Sequence, residues 1–363
     1  KFIMAYTTIN KGSLYMNTLL YTGTGSGGSN RQLTGVGFQP DFTWVKSNSA
    51  QEHVLANSVR GATSDLDSAG TTAEQTTNTR LGAFISDGFQ LGSGAVQNRV
   101  NENAVSMTSW NWLADNTSGS SNTEGSITST VSANTTSGFS IVSWTGSGAD
   151  ATIGHGLNSA PTIYIVKNLA DATDWRVGQV ITSSNNMTDG NGYYMELNDT
   201  KASTNPGSAV TWGSPPTAPT PSVFSVGSNN SHNGSSDAML AYCFHSVKGY
   251  SKMGSYTGNG NADGTFIYTG FKPAWLMIKR TDSANSWIIQ DNKRDPFNVV
   301  TLNLNANAYG GNNNNQGFLD FTSNGFKLRK VDTGTNTAGG TYIYMAFAEN
   351  PLVGTNNVPA TAR

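Results

Sequence analysis

The sequence predicts an all-β protein made of three tandem β-sandwich repeats of the jelly-roll or concanavalin-like kind. Two observations carry this prediction, the composition and an internal repeat. Only 12% of the 363 residues are charged, about half of the ~25% usual in soluble domains, and 41 are glycine. Because Gly and Asn favour turns and strong helix formers are scarce, the composition indicates many short strands and tight loops. The best helical candidate is one short turn within 71–79.

A proline-led run occurs three times and predicts one buried strand in each repeat. Apolar residues fill most of each run, and a lysine stands six residues after the proline. Proline is tolerated at the first position of a strand, and a run that alternates or is apolar for about six residues suits a largely buried strand. The three pairs are Pro40 and Lys46, Pro161 and Lys167, and Pro273 and Lys279.

Motifs on either side of this run define the extent of each repeat. An aromatic-Thr-Gly-x-Gly turn precedes the proline-led run. After the run come a turn, a strand that contains Phe, and then a strand rich in aromatic residues. We therefore divide the chain into a leader or docking segment (1–16), repeat 1 (17–115), a Ser/Gly/Asn-rich linker (116–125), repeat 2 (126–246), repeat 3 (247–351) and a tail (352–363).

The charge balance and the cysteine count exclude several classes of protein. A net charge of −2 lacks the basic footprint of a nucleic-acid binder, so no nucleic-acid partner is expected. No apolar run approaches the ~18 residues of a membrane span, so no membrane insertion is expected. Cys243 is the single cysteine and the four histidines lack metal-ligand spacing, so neither a disulfide, a metal nor a cofactor is predicted.

No set of residues in the sequence predicts catalysis. Glycoside hydrolysis needs two carboxylates on neighbouring strands, and no acidic pair recurs across the repeats. A nucleophile elbow is also absent from the sequence. We therefore predict that the protein is not an enzyme and has no catalytic residues. The segment 259–264 alternates Asn and Asp as calcium loops do, which leaves a calcium site and a tight Asx-rich turn as alternatives.

Three tryptophans are candidates for carbohydrate binding. Trp175, Trp212 and Trp287 lie in polar or proline-rich neighbourhoods, and exposed aromatic side chains beside polar ones are typical of sugar-binding surfaces. Core packing is the alternative for each. Trp175 and Trp287 stand 14 residues after their prolines, where repeat 1 has His53 one position earlier.

Two polar residues complete the predicted carbohydrate site. His155 lies between two glycines, where it could stack on a sugar or be a plain loop residue. Arg294 follows Trp287 by seven residues and Asp291 by three, so it is either a ligand contact or a salt bridge that fixes the loop.

The longer motifs resemble one family of virion proteins. The motifs G-V-G-F-Q-P-D-F-x-W-V-K, S-D-G-F-x-L-G and G-Y-S-K-x-G-S-Y-T-G-N-G-N-A-D-G-T-F-I-Y-T-G-F-K-P-A are similar to those of a virion-protein family frequent in marine bacteriophages, including cyanophages. The likeness runs from about Ala5 to Arg363. It implies a place in the virion, tail-fibre-like or structural, and single repeats that look like concanavalin-type lectins.

The resulting expectation is a non-enzymatic bacteriophage virion structural protein on the particle surface. It would be a tail fibre or appendage, or a head decoration, with host surface glycans as an additional ligand. We expect partners in copies of itself, such as a trimer, and in other virion proteins, after assembly in the bacterial cytoplasm. The alternatives are a free-standing carbohydrate-binding adhesin and, less favoured, a polysaccharide-degrading depolymerase.

Overall fold

Strands dominate the part of the chain that the structure describes. The computed structural model describes residues 7–25, 30–77, 79–93, 98–190, 192–207, 211–315 and 317–353. Within these ranges no helix is long and apolar enough to cross a membrane. The predicted helical turn within 71–79 is wrong, because 75–76 pair as a strand. Five β-branched threonines in that stretch favour extended backbone over helix.

Three large antiparallel sheets are each accompanied by a small sheet, and we call each such pair a unit. Unit 1 contains β1 (Met16–Thr22), β2 (Gln32–Thr34), β3 (Phe42–Ser47), β4 (Val54–Asn57), β5 (Gly61–Leu66), β6 (Gln75–Thr76), β7 (Leu81–Ile85), β8 (Gly88–Leu91), α1 (Asn98–Asn101) and β9 (Ser106–Trp112). Unit 2 contains β10 (Ser120–Asn122), β11 (Ser129–Asn134), β12 (Phe139–Thr145), β13 (Ala151–Gly154), β14 (Ile163–Asn168), β15 (Arg176–Gln179), β16 (Met195–Glu196), β17 (Val223–Val226), α2 (Asn230–Asn233) and β18 (Ala238–Phe244). Unit 3 contains β19 (Ser251–Thr257), β20 (Phe266–Tyr268), β21 (Phe271–Arg280), β22 (Ile288–Asp291), β23 (Leu304–Asn305), β24 (Leu319–Thr322), β25 (Gly325–Leu328) and β26 (Thr341–Pro351).

The large sheets of the three units share one strand order. Five strands run β1-β9-β3-β4-β5 in unit 1, β12-β18-β14-β15-β16 in unit 2 and β19-β26-β21-β22-β23 in unit 3. The small sheets run β2-β8-β7, β13-β17 and β20-β25-β24. The predicted all-β, sandwich-like fold is therefore confirmed.

Each large sheet is buried on both faces, as its apolar proline-led strand indicates. In β3, Val45 packs with Leu33 and Phe89 of the small sheet, whereas Phe42 and Trp44 point away from it. Successive side chains of a strand alternate between the two faces, so a doubly covered strand needs apolar residues at nearly every position.

The second face of each large sheet contributes to one core shared by all three units. The sheets supply side chains at matching positions of their strands: Phe42, Trp44, Trp110 and Trp112 from unit 1; Ile163, Ile165, Tyr242 and Phe244 from unit 2; Trp275, Met277, Met345 and Phe347 from unit 3. Aromatic pairs join every two units, with centroid separations of 4.2 Å (Phe42–Tyr242), 5.5 Å (Trp112–Trp275) and 6.0 Å (Phe244–Phe347). The units thus form a closed three-unit ring rather than a row of independent domains.

The two segments outside the predicted repeats are also structured. In the leader, Ile9 is buried in the shared core, Thr7 donates to the carbonyl of Lys248 at 2.6 Å, and a 3-10 turn spans Gly12–Leu14. The leader therefore reaches from unit 1 to the start of unit 3. In the range predicted as a linker, β10 pairs with β11 and widens the large sheet of unit 2. Residues 1–6 of the leader and 354–363 of the tail lie outside the described residues.

Candidate functional site

The five residues predicted to bind carbohydrate are buried. Trp175, Trp212 and His155 expose 0% of their surface and Trp287 exposes 1%, while the side chain of Arg294 is 3% exposed. Stacking on a sugar needs an accessible aromatic face, so burial argues against this prediction for the three tryptophans and His155, and the Arg294 side chain is covered as well. The indole N–H groups of the three tryptophans donate to backbone carbonyls, which satisfies these polar groups in the buried interior.

Trp212 and His155 belong to unit 2 alone. The indole of Trp212 packs edge-on against Tyr164, with centroids 5.0 Å apart, and donates to the carbonyl of Tyr193 at 2.9 Å. The imidazole of His155 makes two backbone contacts, at 3.0 Å to the carbonyl of Thr220 and at 3.2 Å from the N–H of Leu157. Burial lowers the pKa of His155, so its neutral form is favoured.

Arg294 fixes the loop that follows β22. Its Nε donates to the Asp291 carboxylate, and its two Nη atoms donate to Asn312 Oδ1 at 2.8 Å and to the carbonyl of Ile289 at 3.0 Å. The loop-fixing interpretation of Arg294 is thus confirmed.

Trp175, Trp287 and His53 connect neighbouring units. Each residue immediately precedes the strand that follows the proline-led strand. Trp175 of unit 2 donates to the carbonyl of Asp67 in unit 1 at 2.8 Å, and Trp287 of unit 3 donates to Glu196 O in unit 2 at 2.8 Å.

His53 makes the corresponding contact from unit 1 to unit 3. Its Nδ1 accepts from Trp44 Nε1 at 2.9 Å, which leaves the proton on Nε2 to donate to the carbonyl of Ala308 at 3.1 Å. Burial, the largest influence, lowers the pKa of His53 to about 3, so the imidazole is neutral. The three contacts close the ring.

The three lysines at the ends of the proline-led runs repeat the same cycle. Each donates to one carbonyl of the preceding unit: Lys167 to Thr71 O at 3.0 Å, Lys279 to Thr200 O at 2.9 Å and Lys46 to Tyr309 O at 3.0 Å. Each also donates to carbonyls in the turn after its own strand. These lysines therefore hold adjacent units together.

Burial lowers the pKa values of all three lysines. The pKa falls from 10.5 to about 8 for Lys46 and Lys167 and to about 7 for Lys279. Lys46 and Lys167 each meet three carbonyl acceptors, which match the three protons of an ammonium group, whereas Lys279 meets two. The pKa of Lys279 falls furthest, because the effect of burial is increased by the charge of Arg280.

Two cavities formed by described residues differ strongly in size. An apolar cavity in the shared core holds about 20 Å³, little more than one water molecule requires. A cleft where unit 3 meets unit 1 holds about 190 Å³. It lies between the leader with β1 on one side and β21, the turn after β22 and the end of β26 on the other. We call it the seam cleft, because the chain does not connect unit 3 to unit 1.

The seam cleft combines one engaged carboxylate with two unpaired cations. Glu349 accepts from Asn292 Nδ2 at 2.9 Å and lies 3.6 Å from the ammonium of Lys272. Lys11 and Lys293 line the cleft and are exposed, and neither forms an ion pair within the described part of the chain. The cleft therefore carries a net positive charge.

One position of the repeat explains why the cleft opens in unit 3. The residue after the proline is Asp41 in unit 1, Thr162 in unit 2 and Ala274 in unit 3. The Asp41 carboxylate accepts the N–H groups of Ala114 at 2.7 Å and Asn116 at 3.0 Å, so it is occupied in the link to unit 2. Ala274 has no such group and leaves open space beside the leader.

Two buried carboxylates have structural partners in different parts of the molecule. Glu196 pairs with Arg176 and Lys201, and Asp291 pairs with Arg294. Among the described residues, no cluster of three or more His, Cys, Asp or Glu could hold a metal ion.

The segment 259–264 forms a chain of Asx turns. The side-chain oxygens of Asn259 and Asn261 accept backbone N–H groups, at 3.0 Å from Asn261 and at 2.9 Å from Asp263. Asp263 pairs with Lys327 at 2.8 Å. These contacts favour the tight-turn alternative.

The geometry defines a class of protein: an all-β chain of three sandwich-like units closed into one ring, with a polar cleft at the seam. The chain belongs to the DUF7483 family, described as a domain of unknown function, whose family model matches residues 11–351. This match starts in the leader and ends at the last residue of β26, so it spans the whole ring. No curated protein and no solved structure matches the chain.

Sequence reasoning missed the residues of the seam cleft. Lys11, Asn292 and Lys293 belong to no motif that recurs in the repeats. The sequence does show one difference between repeats: the residue after the proline is Asp41 in repeat 1 and Ala274 in repeat 3. This difference points to a cleft only when the contact between units 3 and 1 is known.

Proposed function

We propose that this protein is a non-enzymatic structural component of a bacteriophage particle, exposed on the particle surface. The motifs that resemble marine phage virion proteins support this proposal, and they lie along the same stretch of chain that forms the three-unit ring. A tail fibre or appendage and a head decoration are the two positions that the proposal includes.

The closed ring is the observation that carries the proposal. The same contacts recur between its units: buried lysines and ring N–H donors join them, and buried carboxylates such as Glu196 are paired with arginine. These groups maintain shape rather than face a substrate. A rigid body with three similar sides suits a position of threefold symmetry in a particle, where each side meets an equivalent neighbour.

Immunogold labelling of purified phage particles tests this assignment. An antibody against the folded protein should label intact particles at regular positions, and the same antibody absorbed with excess purified protein should not. Particles without label would overturn the proposal. We also propose that the protein forms a homo-oligomer, such as a trimer. Light scattering of the purified protein measures the mass in solution and so gives the number of chains.

A further inference from the structure

The geometry points to the seam cleft as a binding site for a carboxylate-bearing sugar residue, such as a uronic acid within an acidic polysaccharide. The site is separate from the buried residues that sequence analysis put forward for sugar binding. It goes beyond the proposed function, because a virion protein can occupy its place in the particle whether or not the cleft takes a ligand.

The size of the cleft matches one sugar ring. A volume of about 190 Å³ corresponds to roughly a dozen water-sized positions, at about 15 Å³ each. One sugar ring with its substituents has a similar number of non-hydrogen atoms. The cleft is partly open to solvent, so the two ends of a longer chain can leave it.

The charge in the cleft favours an anionic ligand. Lys11 and Lys293 approach from opposite sides, one on the leader and one in the turn after β22. The only carboxylate that lines the cleft, Glu349, is engaged by Asn292 and Lys272. Two exposed ammonium groups can therefore pair with a ligand carboxylate without breaking a contact that the described residues show.

The rest of the lining suits a sugar better than a small inorganic anion. Ser13, Thr18 and Asn350 line the cleft and can exchange hydrogen bonds with hydroxyl groups, whereas Asn17 Nδ2 and Asn292 Nδ2 already donate to Val36 O and Glu349. Ala274 adds apolar surface for the C–H face of a sugar ring. A ligand that combines hydroxyls, a C–H face and a carboxylate matches all three kinds of lining.

Unit 1 shows that the equivalent position can carry a carboxylate. Asp41 places its own side-chain carboxylate at the point that Ala274 leaves empty, and that carboxylate accepts two backbone N–H groups. The substitution Ala274→Asp should therefore put an internal carboxylate into the seam cleft and compete with a carboxylate from outside.

Isothermal titration of the full chain with a galacturonic acid trisaccharide tests the inference. We expect saturable binding that weakens as salt is raised, because an ion pair contributes. Maltotriose, which has hydroxyls but no carboxylate, should bind at least tenfold more weakly. Acetate, which has a carboxylate alone, should fail to compete at the same concentration. Equal binding of the neutral sugar or of acetate would overturn the assignment.

Variants locate the binding in the cleft. The double variant Lys11→Gln and Lys293→Gln changes exposed residues and should bind the acidic trisaccharide at least tenfold more weakly, as should Ala274→Asp. Lys252→Gln changes a half-buried lysine outside the cleft that donates to the carbonyl of Tyr268, and this variant should bind like the wild type. A urea midpoint for each variant shows that it is folded. If the lysine double variant folds and binds like the wild type, the cleft is not the site.

The outcomes of this titration and of the particle labelling are independent. Labelled particles with no trisaccharide binding would overturn only the cleft assignment. Trisaccharide binding with no particle label would overturn the virion proposal and favour the free-standing adhesin.

Discussion

The junction between units 1 and 2 and the seam between units 3 and 1 are built alike but differ in two residues. At the junction an indole, Trp175, reaches the neighbouring unit, whereas at the seam the smaller imidazole of His53 does so. At the junction the Asp41 carboxylate fills the space beside the link, whereas Ala274 leaves a cleft at the seam.

The difference shows what chain continuity contributes. The link from β9 into unit 2 supplies backbone N–H groups that Asp41 binds, and the described residues contain no such link from unit 3 to unit 1. The leader takes its place, with Ile9 in the shared core and Tyr15 against Tyr250 at 5.8 Å. A ring made from one chain must have one such seam, and here the seam provides the largest opening among the described clefts.

The largest effect is expected for Trp287→Ala, which removes an indole from a junction. We expect a loss of about 3–5 kcal/mol in the free energy of unfolding, because a large buried side chain leaves a cavity. His53→Ala should lose less, about 1–3 kcal/mol, because it removes a smaller ring and leaves the carbonyl of Ala308 unpaired. Urea midpoints measure both losses, and a larger loss for His53→Ala would contradict the comparison.

A smaller effect is expected for Ile9→Ala in the leader. Ile9 is 2% exposed in the core shared by the units, so we expect a loss of about 2–3 kcal/mol. Leu14→Ala provides a matched control in the same segment, since Leu14 is 46% exposed and should change stability little. Equal midpoints for Ile9→Ala and Leu14→Ala would show that the leader does not hold the seam.

A comparable or slightly smaller effect is expected when one lysine of the cycle is replaced. Lys46→Met at the seam and Lys167→Met at the junction each leave carbonyls without a donor and should each destabilise by about 1–3 kcal/mol. Methionine keeps most of the buried aliphatic length, so packing changes little. Lys252→Met, on the surface beside Tyr268, is the control. If neither buried variant differs from this control, the lysines do not join the units.

The dependence of stability on pH tests the burial of the same lysines. A lysine titrates near 10.5 when unfolded, whereas burial lowers the folded pKa of Lys279 to about 7 and that of Lys46 to about 8. Between the folded and unfolded values the unfolded chain binds more protons, so stability should rise with pH, by up to about 1 kcal/mol per unit for each lysine. Urea midpoints at pH 7, 8 and 9 measure this rise. Lys279→Met should flatten it most between pH 7 and 8, and an unchanged slope would contradict the account.

The composition and repeat predicted the fold class, because turn residues and doubly buried strands leave local patterns. The run from Pro40 to Lys46 is one example: its apolar residues show that β3 is covered on both faces. The pattern does not show which face meets another unit. Trp175 and Trp287 were therefore candidates for an exposed site, although each donates across a buried junction. Contacts between residues far apart in sequence, such as Lys46 with Tyr309, leave no local signal.

Equilibrium unfolding of the full chain in urea, followed by both tryptophan fluorescence and far-ultraviolet circular dichroism, tests the closed ring most directly. Because the units share one core and are joined in a cycle, we predict a single transition with coincident midpoints for the two signals. Lys46→Met should shift both midpoints together. Separate transitions, or a shift confined to one of them, would show that the units are independent domains in a row and would contradict the ring.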